Sequence, residues 1–147
     1  MAEYHIRAIN RSVAPWVFVV AHRPMYCSLN NYPNTKVMYG LQQYLEDMFY
    51  YYQVNVFWTG HYHAYERTCP LYRQKCQQDG ITHIMTGMAG ASLDQSKYFY
   101  APWSVYRDSS SFGYGRLHIY NRTHLNFEYV ANANRTVKDS VWIVRDH

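Results

Sequence analysis

Hydrophobic positions along this chain fall into three kinds of run. Trp16-Val17-Phe18-Val19-Val20 is a continuous β-branched and aromatic stretch without alternation, and Val54-Asn55-Val56-Phe57-Trp58 is a second short apolar run. Both predict strands buried in the sheet, the first covered on both faces as in a parallel sheet. Between them Val37, Met38, Leu41, Tyr44, Leu45, Met48, Phe49 and Tyr52 recur at three- and four-residue steps. That spacing predicts an amphipathic helix over 37–52, with Glu46 and Asp47 off the stripe and facing solvent. Strand, helix and strand in this order form a βαβ unit, so the two strands should run parallel and end at one edge of a sheet.

The flanking segments read differently. Residues 3–11 are polar with spaced apolar positions, the last turns of a helix that Pro15 terminates. The stretch 27–36 is turn-rich. Residues 81–86, ITHIMT, form a short strand containing His83, and it enters Gly87-Met88-Ala89-Gly90. Two glycines there make a tight turn or let the backbone approach a ligand closely, and the turn is the simpler reading. Residues 92–115 carry no regular period, and a loop of that length in a compact domain tends to border a site. Alternating runs at 116–120 and 124–130 then predict an antiparallel hairpin, and 139–145 a closing strand.

Composition narrows the class. With 147 residues, 48% of them hydrophobic and 16% charged, the chain is long enough for one folded domain. A net charge of +4 without a Lys/Arg run suits solubility and argues against a nucleic-acid partner. No apolar stretch approaches 18 residues, so no membrane span is expected. No signal peptide is visible at the start, yet sequons stand at Asn10, Asn121 and Asn134, and Cys69 and Cys76 are spaced to close a small loop. These features lean towards a secretory protein with Cys27 left over, and towards a chain that is the tail of something longer.

Candidate chemistry gathers at the strand ends. His22 follows the first strand and Gly60-His61-Tyr62-His63 follows the second, at the edge where an α/β sheet holds its ligand. In extended backbone His61 and His63 would project to the same side, and Gly60 would allow a sharp turn. Converging neutral imidazoles suit a transition metal. Taken alone, each histidine reads equally as a polar loop or capping residue. Together they fit an open hydrolytic site better than a closed structural one, because no thiolate is near.

VVAHRPMY (19–26) and GHYHAYER (60–67), with PWSVYR, FGYGRLHIYNRTHL and VKDSVWIVR further on, resemble the last metal-binding motifs and C-terminal part of animal-type purple acid phosphatases. These are members of the calcineurin-like metallophosphoesterase superfamily. The resemblance covers essentially the whole chain, 1–147, and implies an α/β fold. Specifically, it implies the C-terminal half of a β-sandwich flanked by helices, a βαβ unit followed by antiparallel strands. It implies a secreted or lysosomal enzyme that hydrolyses phosphate monoesters with Fe(III) and a divalent zinc, iron or manganese ion, through a hydroxide held by both metals. His22 and His61 would bind the divalent ion and His63 the iron. Glu66 and Arg67 would form an ion pair behind the metals, or Arg67 would contact phosphate. The family's earlier motifs, GDxG, GDxxY and GNH, are not in this sequence. Plant-type members carry histidines where Leu29-Asn30-Asn31-Tyr32 stands here, so no catalytic proton donor is assigned. The missing N-terminal half would supply the remaining ligands. The isolated chain is therefore expected to be inactive, with an exposed apolar sheet edge. The alternative is a secreted, non-catalytic module that keeps the fold and binds a metal or a partner.

Overall fold

A computed structural model describes residues 2–29 and 34–145. The short helix α1 (Ala2–Arg7) precedes strand β1 (Phe18–Val20). The helical segment expected over 37–52 is α2 (Asn34–Leu41), a π-helical stretch over Gln42–Glu46, and α3 (Asp47–Tyr51). Strands β2 (Val56–Thr59), β3 (Tyr65–Tyr72), β4 (Lys75–Cys76), β5 (Ile81–Thr86) and β6 (Ser104–Asp108) follow. The chain closes with β7 (Gly113–Ile119), β8 (His124–Ala131) and β9 (Val137–Val144).

Two sheets face each other. The first runs β1-β2-β5-β3-β4, with β6 on the other side of β3. β1, β2 and β5 are parallel, as the βαβ pattern requires, and β3 runs antiparallel to β5. The second is the antiparallel meander β7-β8-β9. Val56, Tyr65, Ile84, Phe127 and Tyr129 fill the space between the sheets. On the other face of the first sheet Val17, Phe57 and Ile81 meet Phe49 of α3. Each such fully buried side chain contributes roughly 1.5–3 kcal/mol. This arrangement is the mixed α/β sandwich flanked by helices that the resemblance implies.

Two expectations need correcting. Glu46 is buried at 4% exposure, whereas Tyr44 on the expected core stripe is 78% exposed. The reason is the π-helical stretch, whose wider turn rotates the inward face. Glu46 is satisfied there, accepting hydrogen bonds from the Tyr26 hydroxyl at 2.6 Å and the Arg73 backbone N–H at 2.9 Å. The aperiodic stretch 92–115 contains a strand, β6, held by long-range pairing with β3. His83 stands in strand β5, as the sequence predicts, with its ring buried in the core at 3% exposure.

Cys69 and Cys76 form a disulfide across the β3–β4 hairpin, and Cys27 is a buried free thiol whose pKa burial, with Glu66 nearby, pushes up. No helix among the described residues is long and apolar enough to cross a membrane. Val20, at the outer strand β1, is 75% exposed.

Candidate metal centre

The site follows from the parallel pairing of β1 with β2. Val20 stands opposite Trp58, and the ladder continues past the strands: Ala21 N–H donates to Trp58 O at 3.0 Å and Gly60 N–H to His22 O at 3.2 Å. These bonds carry the two loops side by side and bring their histidines together. His61 Nδ1 lies 3.0 Å from His22 Nε2, with the rings edge to face at 4.9 Å between centroids. His22 is exposed and His61 half-buried.

That separation suits two ligands on one ion. Imidazole nitrogens about 2.0–2.1 Å from a first-row metal, subtending angles between a right angle and the tetrahedral angle, sit about 2.8–3.4 Å apart. Without an ion the neutral rings share one N–H···N bond. Desolvation pulls the His61 pKa below its ordinary value, helped by the neighbouring Arg23, His22 and His63, so the unprotonated form that binds metal is favoured.

His61 sits at φ 71°, in the left-handed region that a non-glycine residue occupies only at a cost of about 1 kcal/mol or more. The sharp turn that the sequence assigns to Gly60 therefore falls on His61, and residues 61–64 are bent rather than extended. His61 and His63 consequently do not project as neighbours on a strand. His63 Nδ1 is 2.7 Å from Ser92 O, and Asp94 N–H donates to His63 O at 3.0 Å. A carbonyl can only accept, so Nδ1 carries the proton and Nε2 keeps its lone pair for an ion. Among the described residues no three His, Cys, Asp or Glu side chains converge on one point. The structure thus brings His22 and His61 together and holds His63 separately, oriented by the 92–94 loop.

Two further residues support the histidine loop. A Cβ on Gly87 would lie 1.7 Å from Tyr62 O, so only glycine lets the end of β5 press against the histidine loop, where Gly87 N–H donates to Ala64 O at 3.0 Å. Of the two readings open at Gly87 and Gly90, close approach applies to Gly87, and the contact is with backbone. Ser92 is the second, and a backbone carbonyl leaves no trace in sequence.

Glu66 and Arg67 do not pair with each other, because successive strand residues point to opposite faces. Glu66 accepts bonds from Ser28 N–H at 2.8 Å, Ser28 Oγ at 2.6 Å and Ser104 Oγ at 2.6 Å. Arg67 makes a two-pronged pair with Asp139, at 2.6 and 2.9 Å, and Asp139 also accepts from the Tyr65 hydroxyl at 2.7 Å. Both side chains of that pair are under 10% exposed, which ties Arg67 to the second sheet rather than to a phosphate. Of the stretch 29–32, only Leu29 lies within the described residues.

A groove of about 1290 Å³ lies at the opposite rim, with Tyr44, Tyr51, Val54, Thr82 and Trp142 in its walls. It contains no histidine, and its acids are engaged, Asp79 by the Tyr50 hydroxyl and Asp47 by Tyr72 and Arg73. Size alone gives it no chemistry. His61 borders a shallow dimple with Arg23, Pro24, Met38 and Tyr62, and its ring nitrogens, like those of His22, are of the kind that hold transition metals.

The fold is that of the C-terminal portion of a metallophosphoesterase domain, and it pairs two histidines at one sheet edge. Residues 80–140 match the family model described as iron/zinc purple acid phosphatase-like protein C. Human acid phosphatase type 7 is 37% identical over 157 residues, covering 92% of this chain and 36% of that protein. A protein of Arabidopsis thaliana named probable inactive purple acid phosphatase 27 is 28% identical, covering 97% of this chain and 25% of its own length. The solved purple acid phosphatase from yellow lupin seeds superposes with a TM-score of 0.83 at 29% identity, over 99% of this chain and 28% of that one. The chain belongs to the purple acid phosphatase family and corresponds to its C-terminal part. It spans 36% or less of these relatives.

Proposed function

We propose that this chain is the C-terminal portion of a secreted or lysosomal acid phosphatase, contributing the imidazole side of a two-metal centre that hydrolyses phosphate monoesters. The observation that carries the reading is the 3.0 Å approach of His22 Nε2 to His61 Nδ1 at the C-terminal edge of two parallel strands. On this reading His22 and His61 hold the divalent ion, zinc, iron or manganese, and His63 Nε2 holds Fe(III). Bound there, the ions would lower the pKa of bound water and neutralise charge at phosphorus. The residues present orient the site. Ser92 O fixes the tautomer of His63, Gly87 seats the histidine loop, and the bond between Gly60 and His22 sets the spacing of the pair. Carboxylates that bridge two ions would come from the N-terminal half of the domain.

Phosphatase assays with added iron and zinc test this proposal. The 147-residue chain alone should not turn over a phosphomonoester. The longer protein containing it should do so, and His61→Ala should lower its kcat/KM by about 10-fold to 100-fold or more. Robust activity of the chain alone contradicts the fragment reading, and full activity of the His61→Ala protein contradicts the site.

A second reading, a secreted non-catalytic module that binds a metal or partner, is favoured by one observation: a relative covering nearly all of this chain is named probable inactive. The reading frame upstream of Met1 separates the two. GDxG, GDxxY and GNH motifs there support the enzyme, and an in-frame start without them supports the module.

A further inference from the structure

Three arginines from distant parts of the chain gather at the rim opposite the histidines. Arg11 comes from the connection between α1 and β1, Arg122 from the β7–β8 turn and Arg145 from the end of β9. Trp16, 9% exposed, ties these segments together. Its Nε1 donates to Asn121 O at 2.9 Å, and the Arg145 guanidinium lies 5.9 Å from its ring centre. Arg145 N–H donates to Thr123 O at 2.9 Å, and Arg122 Nη2 to Ser12 O at 2.7 Å. Arg11 and Arg145 both line the groove of about 1290 Å³.

What these guanidinium groups lack is an acid. Arg11 Nη1 donates to Pro15 O at 3.1 Å and Asn55 Oδ1 at 3.5 Å, and its Nη2 donates to Gln53 O. Arg122 meets only backbone carbonyls. Arg145 Nη1 is buried and has no hydrogen-bond partner among the described residues. Three acids share the groove, but Glu3 accepts from the Tyr52 hydroxyl at 3.1 Å, Asp47 is paired with Arg73 and Asp79 accepts from Tyr50. Among the described residues no carboxylate forms an ion pair with Arg11, Arg122 or Arg145. The buried Arg67, by contrast, is met by both oxygens of Asp139. Burial and the charge of Arg145 lower the pKa of Arg11, and burial and the charge of Arg122 lower that of Arg145. Like charges gathered without a counter-ion oppose folding, and a buried donor left unpaired adds to the cost.

We infer that Arg11 and Arg145, with Arg122 adding its charge, form an oxyanion site that binds the phosphate group of a small ligand. Guanidinium forks match the spacing of phosphate oxygens, and Arg145 Nη1 is a buried donor awaiting an acceptor. A phosphate dianion answers several positive charges better than a single carboxylate does. Tyr44, Tyr51 and Trp142 wall the same groove, and an aromatic body attached to the phosphate lies against those rings. The site is separate from the metal centre. Arg11 meets Gln53 and Asn55, which precede β2, whereas His61 follows it. The inference therefore does not depend on the two-metal reading above.

The chain is stripped of metal with EDTA, dialysed, and titrated calorimetrically with inorganic phosphate, phenyl phosphate and acetate at constant ionic strength in chloride. Both phosphates should bind saturably, one per chain, with phenyl phosphate the tighter and acetate not bound. Arg145→Gln and Arg11→Gln should each weaken phosphate binding by about 10-fold or more. Thermal unfolding in chloride checks that each variant is folded. Should Arg145→Gln fail to fold, Arg145→Lys carries the test, because it keeps the charge, loses the fork and should still bind more weakly than the natural chain. No saturable phosphate binding by the natural chain, equal binding of acetate, or full affinity in the folded Arg145 variant overturns the site. Equal affinity for phenyl phosphate and inorganic phosphate overturns the part assigned to the aromatic wall.

Discussion

His22 and His61 are 39 residues apart in sequence, yet Nε2 of one and Nδ1 of the other stand 3.0 Å apart. Nothing local produces that contact. It comes from the parallel register of β1 and β2, extended by two backbone bonds into the loops beyond them. The pair therefore reports on the fold, and changes that disturb the loop ends should reach the histidines without touching either ring.

Gly87→Ala is such a change. Its Cβ would meet Tyr62 O at 1.7 Å and must push the histidine loop away from β5. The expected loss is about 1–3 kcal/mol of stability, together with weakened metal binding, read by urea denaturation and metal titration of the same variant. Gly40→Ala is the control: it lies in α2 with open space around it, and should stabilise by about 0.5–1 kcal/mol.

Arg67 and Asp139 join the two sheets from positions 72 residues apart. Asp139→Ala leaves the guanidinium buried without its carboxylate and deprives the Tyr65 hydroxyl of its acceptor. Removing one partner of such a pair costs about 3–5 kcal/mol. Equilibrium denaturation should show this, and Asp139→Asn should lose less because Tyr65 keeps an acceptor.

His83 should make the protein acid-sensitive. Both its ring nitrogens lack hydrogen-bond partners among the described residues, and Tyr26 and Phe57 pack against the ring. Burial pulls its pKa down to about 3 from 6.5. Between those values the unfolded chain binds the extra proton, so stability is full above pH 6.5 and falls as the pH drops towards 3, by about 1.4 kcal/mol per unit. Asp108, held down to about 2 by Ser110 and Lys138 against the cost of burial, adds its own loss only below its ordinary 3.8. Denaturation midpoints measured from pH 7 to pH 4 should decline in the natural chain, and His83→Phe should flatten that decline.

Much of this architecture was legible. The runs at 16–20 and 54–58 identified themselves as buried strands because covered strands tolerate no polar alternation. The alternation from Leu117 to Tyr129 marked the half-buried meander. His22 and His61 could be placed at one edge because parallel strands end together. What stayed hidden depends on contacts far along the chain or on backbone atoms. Glu46 is buried through a π-helical turn that side-chain spacing does not announce. Strand β6 exists because β3 pairs with it, and Ser104 to Asp108 alone read as loop. The partner of His63 is a carbonyl 29 residues away, at Ser92.

The most direct test is titration of the chain with zinc or cobalt(II), followed by calorimetry and, for cobalt, by the visible spectrum. The account predicts saturable binding of a divalent ion with nitrogen ligation, weakened at least 10-fold to 100-fold by His22→Ala and by His61→Ala separately. Retention of full affinity by either variant, or no binding by the natural chain, would contradict it.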